Sequence, residues 1–473
     1  MNLLDPFLRK AASWGDRPAI IDPGSGTISF ADLAARSDHM AASWRKAGLA
    51  AGDRVLIAVP FGIDLYIAIA ALWRLGATIV FPEPALGLSG LRHAVEIAQP
   101  KAVLTAGPYR LLRYIVPAFW KVPLNLHYDE TQRGSDVLHE ATHDHPALIS
   151  FTSGSTGRPK AIIRSHGFLA AQNAEMGAVL KAERDHETDL VCFPVLVIAN
   201  LASGITSLLP SWKLSQHDKA TAVQVATLIR DHQASRALIP PVLCETLARG
   251  GEMPGLRQVF TGGGPVYPDI LQKLSDRHPR LDIVSIYGST EAEPIAAQSL
   301  RNTQASDWQK MKTGQGLLAG RPGAGTRLVL LDDEITVTGP HVNKGYLGGQ
   351  GDAENKITRD GEIWHRTGDA GLMDEDGRLW LKGRLKARAG RYFPFEVEAA
   401  ARFWPGVRQA ALIPERVPET LALAGDEAHA AQWKQKARDD FGIEIAVVNA
   451  IPLDRRHRSK VDYVELARRT ARS

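Results

Sequence analysis

Leu148 to His166 reads LISFTSGSTGRPKAIIRSH. An apolar run, ALISFT (147–152), feeds directly into Thr152-Ser153-Gly154-Ser155-Thr156-Gly157-Arg158-Pro159-Lys160. Two glycines let the backbone approach a ligand closely, and the hydroxyls of Thr152, Ser153, Ser155 and Thr156 join free N–H groups in an anion-binding concavity. Lys160 supplies a positive charge for phosphate oxygens. The loop is not a Walker A loop, since Ala161 follows the lysine and the Gly-x-x-x-x-Gly-Lys-Ser/Thr spacing is absent. It is not the Gly-x-Ser-x-Gly elbow of a serine hydrolase either.

Outward from that loop, the chain alternates short apolar runs with longer amphipathic ones. DRVLIAVP (53–60), ATIVF (77–81), KAVLTA (101–106), RALIP (236–240), LRQVFTGG (256–263) and LDIVSIYG (281–288) read as strands. GIDLYIAIAALWRLG (62–76) and a stretch near 89–98 read as helices. Continuous apolar strands with helices between them predict an α/β protein whose sheets are covered on both faces. Near 325–380 the texture becomes short strands with tight turns, TRLVLLD, EITVTG and GLMDEDGRLWLKG, which predicts a small β-barrel-like part. The last residues, with QAALIPE, a helix near 428–440 and EIAVVNAI, read as a small α+β unit, and Gly383-Arg384-Leu385-Lys386 is the candidate hinge before it.

Composition bounds the partners. The 473 residues are 44% hydrophobic and 23% charged, which excludes general disorder. The net charge of +4 is too small an excess to argue for nucleic acid. Two cysteines, Cys192 and Cys244, are too few for a disulfide framework or a zinc cluster and point to a reducing, cytoplasmic setting. The opening MNLLDPFLRKAASWGDRPAIID lacks the pattern of a signal peptide. Leu190 to Trp212 is uncharged and long enough to span a bilayer. Pro194, Asn200, Ser203, Gly204 and Pro210 interrupt it, so it reads as a buried strand, a turn and a helix, not a membrane span.

The ordered motifs resemble one family. TSGSTGRPK is similar to the phosphate-loop signature of the adenylate-forming enzymes, the superfamily of acyl-CoA synthetases, peptide-synthetase adenylation domains and luciferases. Gly262-Gly263-Gly264-Pro265 resembles its Gly-Gly loop, and Tyr287-Gly288-Ser289-Thr290-Glu291 its Tyr-Gly-x-Thr-Glu motif. Gly345-Tyr346, Thr367-Gly368-Asp369, Gly383-Arg384 and a lysine near the end, Lys460, follow in the family's order. The resemblance implies a large N-terminal AMP-binding domain over 1–383, a hinge over 384–386 that includes Lys386, and a mobile C-terminal lid domain over 387–473. It implies ATP and Mg²⁺ as cofactors. Thr152, Ser153, Gly154, Ser155, Thr156, Gly157 and Lys160 would hold the β- and γ-phosphates, with Gly263, Gly264, Tyr287, Gly288 and Ser289 completing the nucleotide site. Thr290 would contact the α-phosphate, Glu291 would hold Mg²⁺, and Asp369 and Arg384 would take the ribose. Lys460 would bridge carboxylate and α-phosphate oxygens as a catalytic residue with Thr290 and Glu291. His166 and His365 read as cap or core residues, and Tyr392-Phe393-Pro394-Phe395 as packing.

Two departures bear on substrate and acceptor. Val197 stands in Pro194-Val195-Leu196-Val197-Ile198-Ala199, where the family often carries a histidine or aromatic. An apolar side chain there implies a greasy acyl pocket, to which Val197, Ala199 and Gly204 are assigned. After the hinge, Gly383 runs almost directly to Phe393-Pro394-Phe395-Glu396-Val397-Glu398, shortening the loop that presents the thiol tunnel in CoA ligases. With IPLDRRHRSKVD near the end, this looks most like the branch of the β-lactone synthetases of olefin biosynthesis and their acyl-ligase relatives. The resemblance therefore implies ATP-dependent adenylation of a fatty-acid-like carboxylic acid, with transfer to CoA, to an acyl-carrier-protein thiol or to another acceptor. The alternatives are a β-lactone synthetase that closes a 3-hydroxy acid without CoA, and a non-catalytic nucleotide-binding relative. A kinase or ordinary NTPase would release ADP or phosphate where an adenylating enzyme releases AMP and pyrophosphate.

Overall fold

The computed structural model describes residues 2–82, 87–134, 138–152, 159–250, 252–453 and 460–471. Its described strands form three sheets. The first has six strands, ordered Leu124–Leu126, Ala102–Thr105, Arg54–Ala58, Thr78–Phe81, Pro146–Thr152 and Lys160–Ser165. All but the last run parallel. Parallel strands need covering helices, and the alternation of apolar run and helix supplies them.

The second sheet is mixed. Its middle is parallel, through Asp282–Ser289, Gln258–Gly262, Arg236–Ile239, Thr188–Val191, Thr206–Leu208 and Pro18–Asp22. From Asp282–Ser289 it continues antiparallel through Ala292–Ser299, Leu317–Pro322, Leu379–Arg384, Glu362–Met373, Glu334–Thr338 and Arg327–Leu331. The short strands expected near 325–380 therefore extend the edge of the central sheet. The helix Ile63–Arg74 lies between sheets, buried on all sides, as its nearly charge-free sequence requires. It packs on the helix Phe30–Lys46, whose Ser29 accepts a hydrogen bond from Asp32 N as its N-cap.

Residues 190–212 resolve into the strand Thr188–Val191, the helix Pro194–Ser203 and a further strand, Thr206–Leu208, that the sequence did not signal. Proline begins this helix, and Gly204 ends it at φ +77° with its backbone against Trp14. Among the described residues no helix is long and apolar enough to cross a membrane.

The third sheet is small: Val407–Ile413, Thr420–Gly425 and Glu444–Val447. The chain reaches it from Arg384 through one 3-10 turn, Leu385–Ala387, in which Lys386 is exposed. Next comes a tight reversal, where Ala389 and Tyr392 exchange both backbone hydrogen bonds around Gly390 and Arg391. The helix Pro394–Ala401 then packs on Leu379–Arg384 and Leu317–Pro322 on one side and on Val407–Ile413 on the other. A polar seam runs beside it. Tyr267 Oη donates to Glu398 (2.7 Å), Leu412 N donates to the other Glu398 oxygen (2.9 Å), and Arg402 Nε donates to Asp269 (2.6 Å). The helix expected near 428–440 is Ala430–Lys436, continued by a wide turn over Ala437–Phe441.

Candidate active site

The tip of one hairpin organises the site. Ser289 pairs with Ala292, so Thr290 and Glu291 are the two residues of the turn. Gly288 sits at a bulge just before it, where a Cβ would lie 2.9 Å from Ala292 O, so only glycine passes. Thr290 is exposed, and its carbonyl accepts a 2.7 Å hydrogen bond from Arg164. Glu291 Oε1 accepts from Tyr346 Oη at 3.0 Å. Burial alone would raise the Glu291 carboxyl, but the charge of His365, the Tyr346 hydroxyl and the charge of Lys356 outweigh it and hold it below the usual range.

The strand Lys160–Ser165 meets this tip from the other sheet, through Arg164. Ser153, Gly154, Ser155, Thr156 and Gly157 lie outside the described residues. Thr152 ends its strand, and Lys160 stands opposite it in register. Lys160 is buried, with Nζ 5.2 Å from the centre of the Tyr346 ring. Ile162, two residues on, bridges to Tyr346 through the backbone. A second lysine, Lys356, lies at the same 5.2 Å from that ring. Its ammonium donates to Asn343 O and lies 3.3 Å from His365 Nδ1. Burial pulls Lys356 down to about 8, with Glu291 and Asp352 opposing. Burial, aided by Lys356 and Lys160, pulls His365 down to about 4, with Glu291 opposing.

Asp369 and Arg384 face each other across a second hairpin and pair at 3.1 Å. Tyr287 Oη donates to the other Asp369 oxygen at 2.9 Å, and Arg384 Nη1 donates to Thr367 O. Burial raises the Asp369 carboxyl, while Arg384, Tyr287 and the charge of Lys460 draw it back. That charge places Lys460 within electrostatic reach of Asp369. Backbone pairing of Val461 with Leu453, and of Asp462 N with Pro452 O, holds its segment there.

Several buried polar atoms around the hairpin tip have no hydrogen-bond partner among the described residues: Ser289 Oγ, Arg164 Nε and Gln172 Oε1. Gln172 belongs here because its amide donates to Glu293, next to Glu291 on the hairpin. Such orphans are costly without a polar ligand to pair with. Among the described residues no three or more His, Cys, Asp or Glu converge on one point. A carboxylate such as Glu291 is the donor chemistry that suits a hard divalent cation taking its other oxygens from phosphates and water.

The Gly-Gly loop joins this site to the apolar helix. Gly263, with Gly264 beside it, approaches Phe193, where a Cβ would lie 3.3 Å from the ring. Phe193 immediately precedes the helix Pro194–Ser203, and Val197 and Ala199 lie at the middle of that helix. Val197 is fully buried and Ala199 nearly so. Gly204 caps the other end against Trp14, about 15 Å away at 1.5 Å per residue, and the structure does not bring it to the site. His166 takes Leu3 N on Nδ1 in the core, and Tyr392 donates to Phe441 O, both packing roles.

Sequence reading passed over Arg164 and Lys356, gave His365 only a cap or core role, and did not foresee the contact of Tyr346. One signal was present for two of them: Asp360-Gly361, both at positive φ, makes a two-residue hairpin turn that sets Lys356 opposite His365.

Comparison with known proteins gives the same frame. The profile of a family described as AMP-binding enzyme matches residues 7–347. An olefin β-lactone synthetase of Stenotrophomonas maltophilia is 28% identical, the match covering 93% of this chain and 91% of that protein. A feruloyl-CoA synthase of an Amycolatopsis species is 30% identical, covering 85% and 84%. The solved o-succinylbenzoate coenzyme A synthetase of Bacillus subtilis, in complex with ATP and a magnesium ion, is similar in fold, with a TM-score of 0.78, 19% identity, and 98% and 99% of the two chains covered.

Proposed function

We propose, for a chain that belongs to the AMP-binding enzyme family and is by that membership an adenylate-forming, AMP-forming ligase, that it activates an apolar carboxylic acid with ATP and passes the acyl group to a second acceptor. The observation that carries this reading is the hairpin tip Thr290-Glu291, set between two lysines, an arginine and orphaned polar atoms.

The reaction needs charge neutralised over phosphoryl oxygens more than it needs covalent help. In this reading the loop from Thr152 to Lys160 cradles the β- and γ-phosphates. Lys160 neutralises the leaving pyrophosphate, and Thr290 donates to the α-phosphate. Mg²⁺ would be held by Glu291 and would polarise phosphate oxygens. Asp369, steadied by Arg384 and Tyr287, accepts the ribose hydroxyls. Lys460 bridges the attacking carboxylate and the α-phosphate, then leaves with residues 387–473 as they turn about Lys386. Val197 and Ala199 face the acyl chain, and their lack of polar atoms supports a fatty-acid-like acid over an amino acid.

A second reading concerns the acceptor. The chain spends only Gly390 and Arg391 on the reversal between Ala389 and Tyr392. A chain reaches about 3.5 Å per residue, so this turn cannot line a long thiol tunnel. That favours an internal 3-hydroxyl, closing a β-lactone, or a carrier-bound thiol, over free CoA. The test supplies ATP, Mg²⁺ and paired acids with and without a 3-hydroxyl. Pyrophosphate release with an apolar acid supports adenylation, and no release with any acid refutes it. Multiple turnovers of a 3-hydroxy acid without CoA support lactone closure. Release that stalls after one equivalent and resumes on adding CoA assigns CoA instead.

A further inference from the structure

Residues 107–123 read GPYRLLRYIVPAFWKVP and fold as three short turns, Gly107–Leu111, Leu112–Ile115 and Pro117–Lys121. Val116, Phe119 and Val122 are buried and share one core with Val95, Ala98 and Val103, so these anchor the segment. The outward side chains are of another kind. Leu111 is 61% exposed, Tyr114 70%, Ile115 55% and Trp120 69%, with Tyr109 beside them. None of them serves the core, and so dense a group of large apolar side chains on a surface calls for a partner.

The charges narrow the partner. The segment carries Arg110, Arg113 and Lys121 and no carboxylate. Among the described residues no ion pair engages any of the three. On the packed helix Gly87–Ala98, Leu88 is also exposed, and Arg92 offsets Glu96. Tyrosine, tryptophan, leucine and isoleucine interleaved with cations match the boundary between acyl chains and headgroups. A second copy docking on the same patch would set these cations against one another across a two-fold axis.

We infer that this surface docks the protein reversibly on a lipid bilayer bearing anionic headgroups. It lies on the surface and does not span. Its place in the fold gives it a use. The segment leaves the six-stranded sheet at the carboxyl end of Ala102–Thr105, the same edge at which the parallel strand Pro146–Thr152 ends in the phosphate loop. Docking thus brings a reservoir of apolar acids to the edge of the sheet that carries the nucleotide site. The inference goes beyond the proposed reaction and is tested without it.

The whole chain, with neither ATP nor acid, is sedimented with phosphatidylglycerol vesicles and with phosphatidylcholine vesicles. Binding is expected to the anionic vesicles, weakened by high salt, and much less to the neutral ones. Tyr114→Ser with Trp120→Ser, and separately Arg110→Glu with Arg113→Glu, should each cut the partition at least about tenfold. Both pairs are on the surface, and the circular dichroism spectrum and thermal midpoint should stay at their wild-type values, which shows that the variants are folded. Absence of binding to anionic vesicles overturns the inference. So does equal binding by the variants, or a dimer in ultracentrifugation that the variants dissolve while vesicles bind nothing.

Discussion

Arg236 and Arg164 are both buried on strands, and the molecule treats them oppositely. Arg236 gives Nε and Nη2 to the two oxygens of Asp189, each at 2.7 Å, and Nη1 to Leu180 O. Burial pulls its pKa down, and Asp189 more than reverses that. Arg164 gives one hydrogen bond, to Thr290 O, and its Nε has no partner among the described residues. Burial lowers it, and the charges of Glu293 and Glu291 only partly restore it. A buried cation with every nitrogen matched is scaffold, since its charge is spent inside the protein. A buried cation left part-paired beside an acidic hairpin tip keeps its charge for something that arrives.

The sharpest way to break this contrast is to remove the scaffold partner. Asp189→Ala leaves Arg236 buried and uncompensated, and should lower stability by about 3–5 kcal/mol, read from the denaturant midpoint. Little loss would mean the pair is not structural. The contrary case is Lys460→Ala, which should cut pyrophosphate release at least about 100-fold, with ATP affinity and thermal midpoint hardly changed. Near wild-type adenylation by this variant would remove Lys460 from the reaction.

Glu398 lies between the two extremes. Burial raises its carboxyl to about 7, and the Tyr267 hydroxyl, the Leu412 amide and Arg402 offset only part of the cost. A carboxyl raised in the folded state contributes stability that is full below its unfolded pKa near 4.5 and is lost as pH rises through 7. Wild type should therefore lose up to about 3 kcal/mol between pH 4.5 and 8 relative to Glu398→Gln. Parallel stability profiles for the two proteins would refute the shift. The smallest effect is expected at Arg164→Met. Stability should move by no more than about 1 kcal/mol, while adenylation falls about tenfold because the Thr290 carbonyl loses its tether. A destabilisation as large as that of Asp189→Ala would erase the distinction between the two arginines.

What could be read from sequence follows from range of contact. The Asp374-Glu375-Asp376-Gly377 turn brings Asp369 opposite Arg384, so a local signal delivered a tertiary pair. Tyr287-Gly288-Ser289-Thr290-Glu291 is likewise one short stretch, and its hairpin tip is local geometry. Arg164 was invisible because its partner, Thr290, is 126 residues away on another sheet. The position of Lys160 against Tyr346 has the same origin, since the bridge of Ile162 to Tyr346 joins two segments far apart in sequence. Gly204 was placed with Val197 by nearness in sequence. Gly204 caps the far end of that helix, where Trp14 waits.

The helix Pro394–Ala401 has a last consequence. Val397, Glu398, Ala399, Ala400 and Ala401 are all buried, because the helix is shared between Leu379–Arg384 before the 3-10 turn and Val407–Ile413 after it. The rotation about Lys386 proposed above would lift this helix off one of its two neighbours. Apolar surface would then meet water on the way to the second step, and such exposure carries a heat-capacity change. The rate of that step should therefore follow a curved, non-Arrhenius temperature dependence, while adenylation itself stays close to linear. In this protein the temperature at which product appears would be set by a helix that touches no substrate.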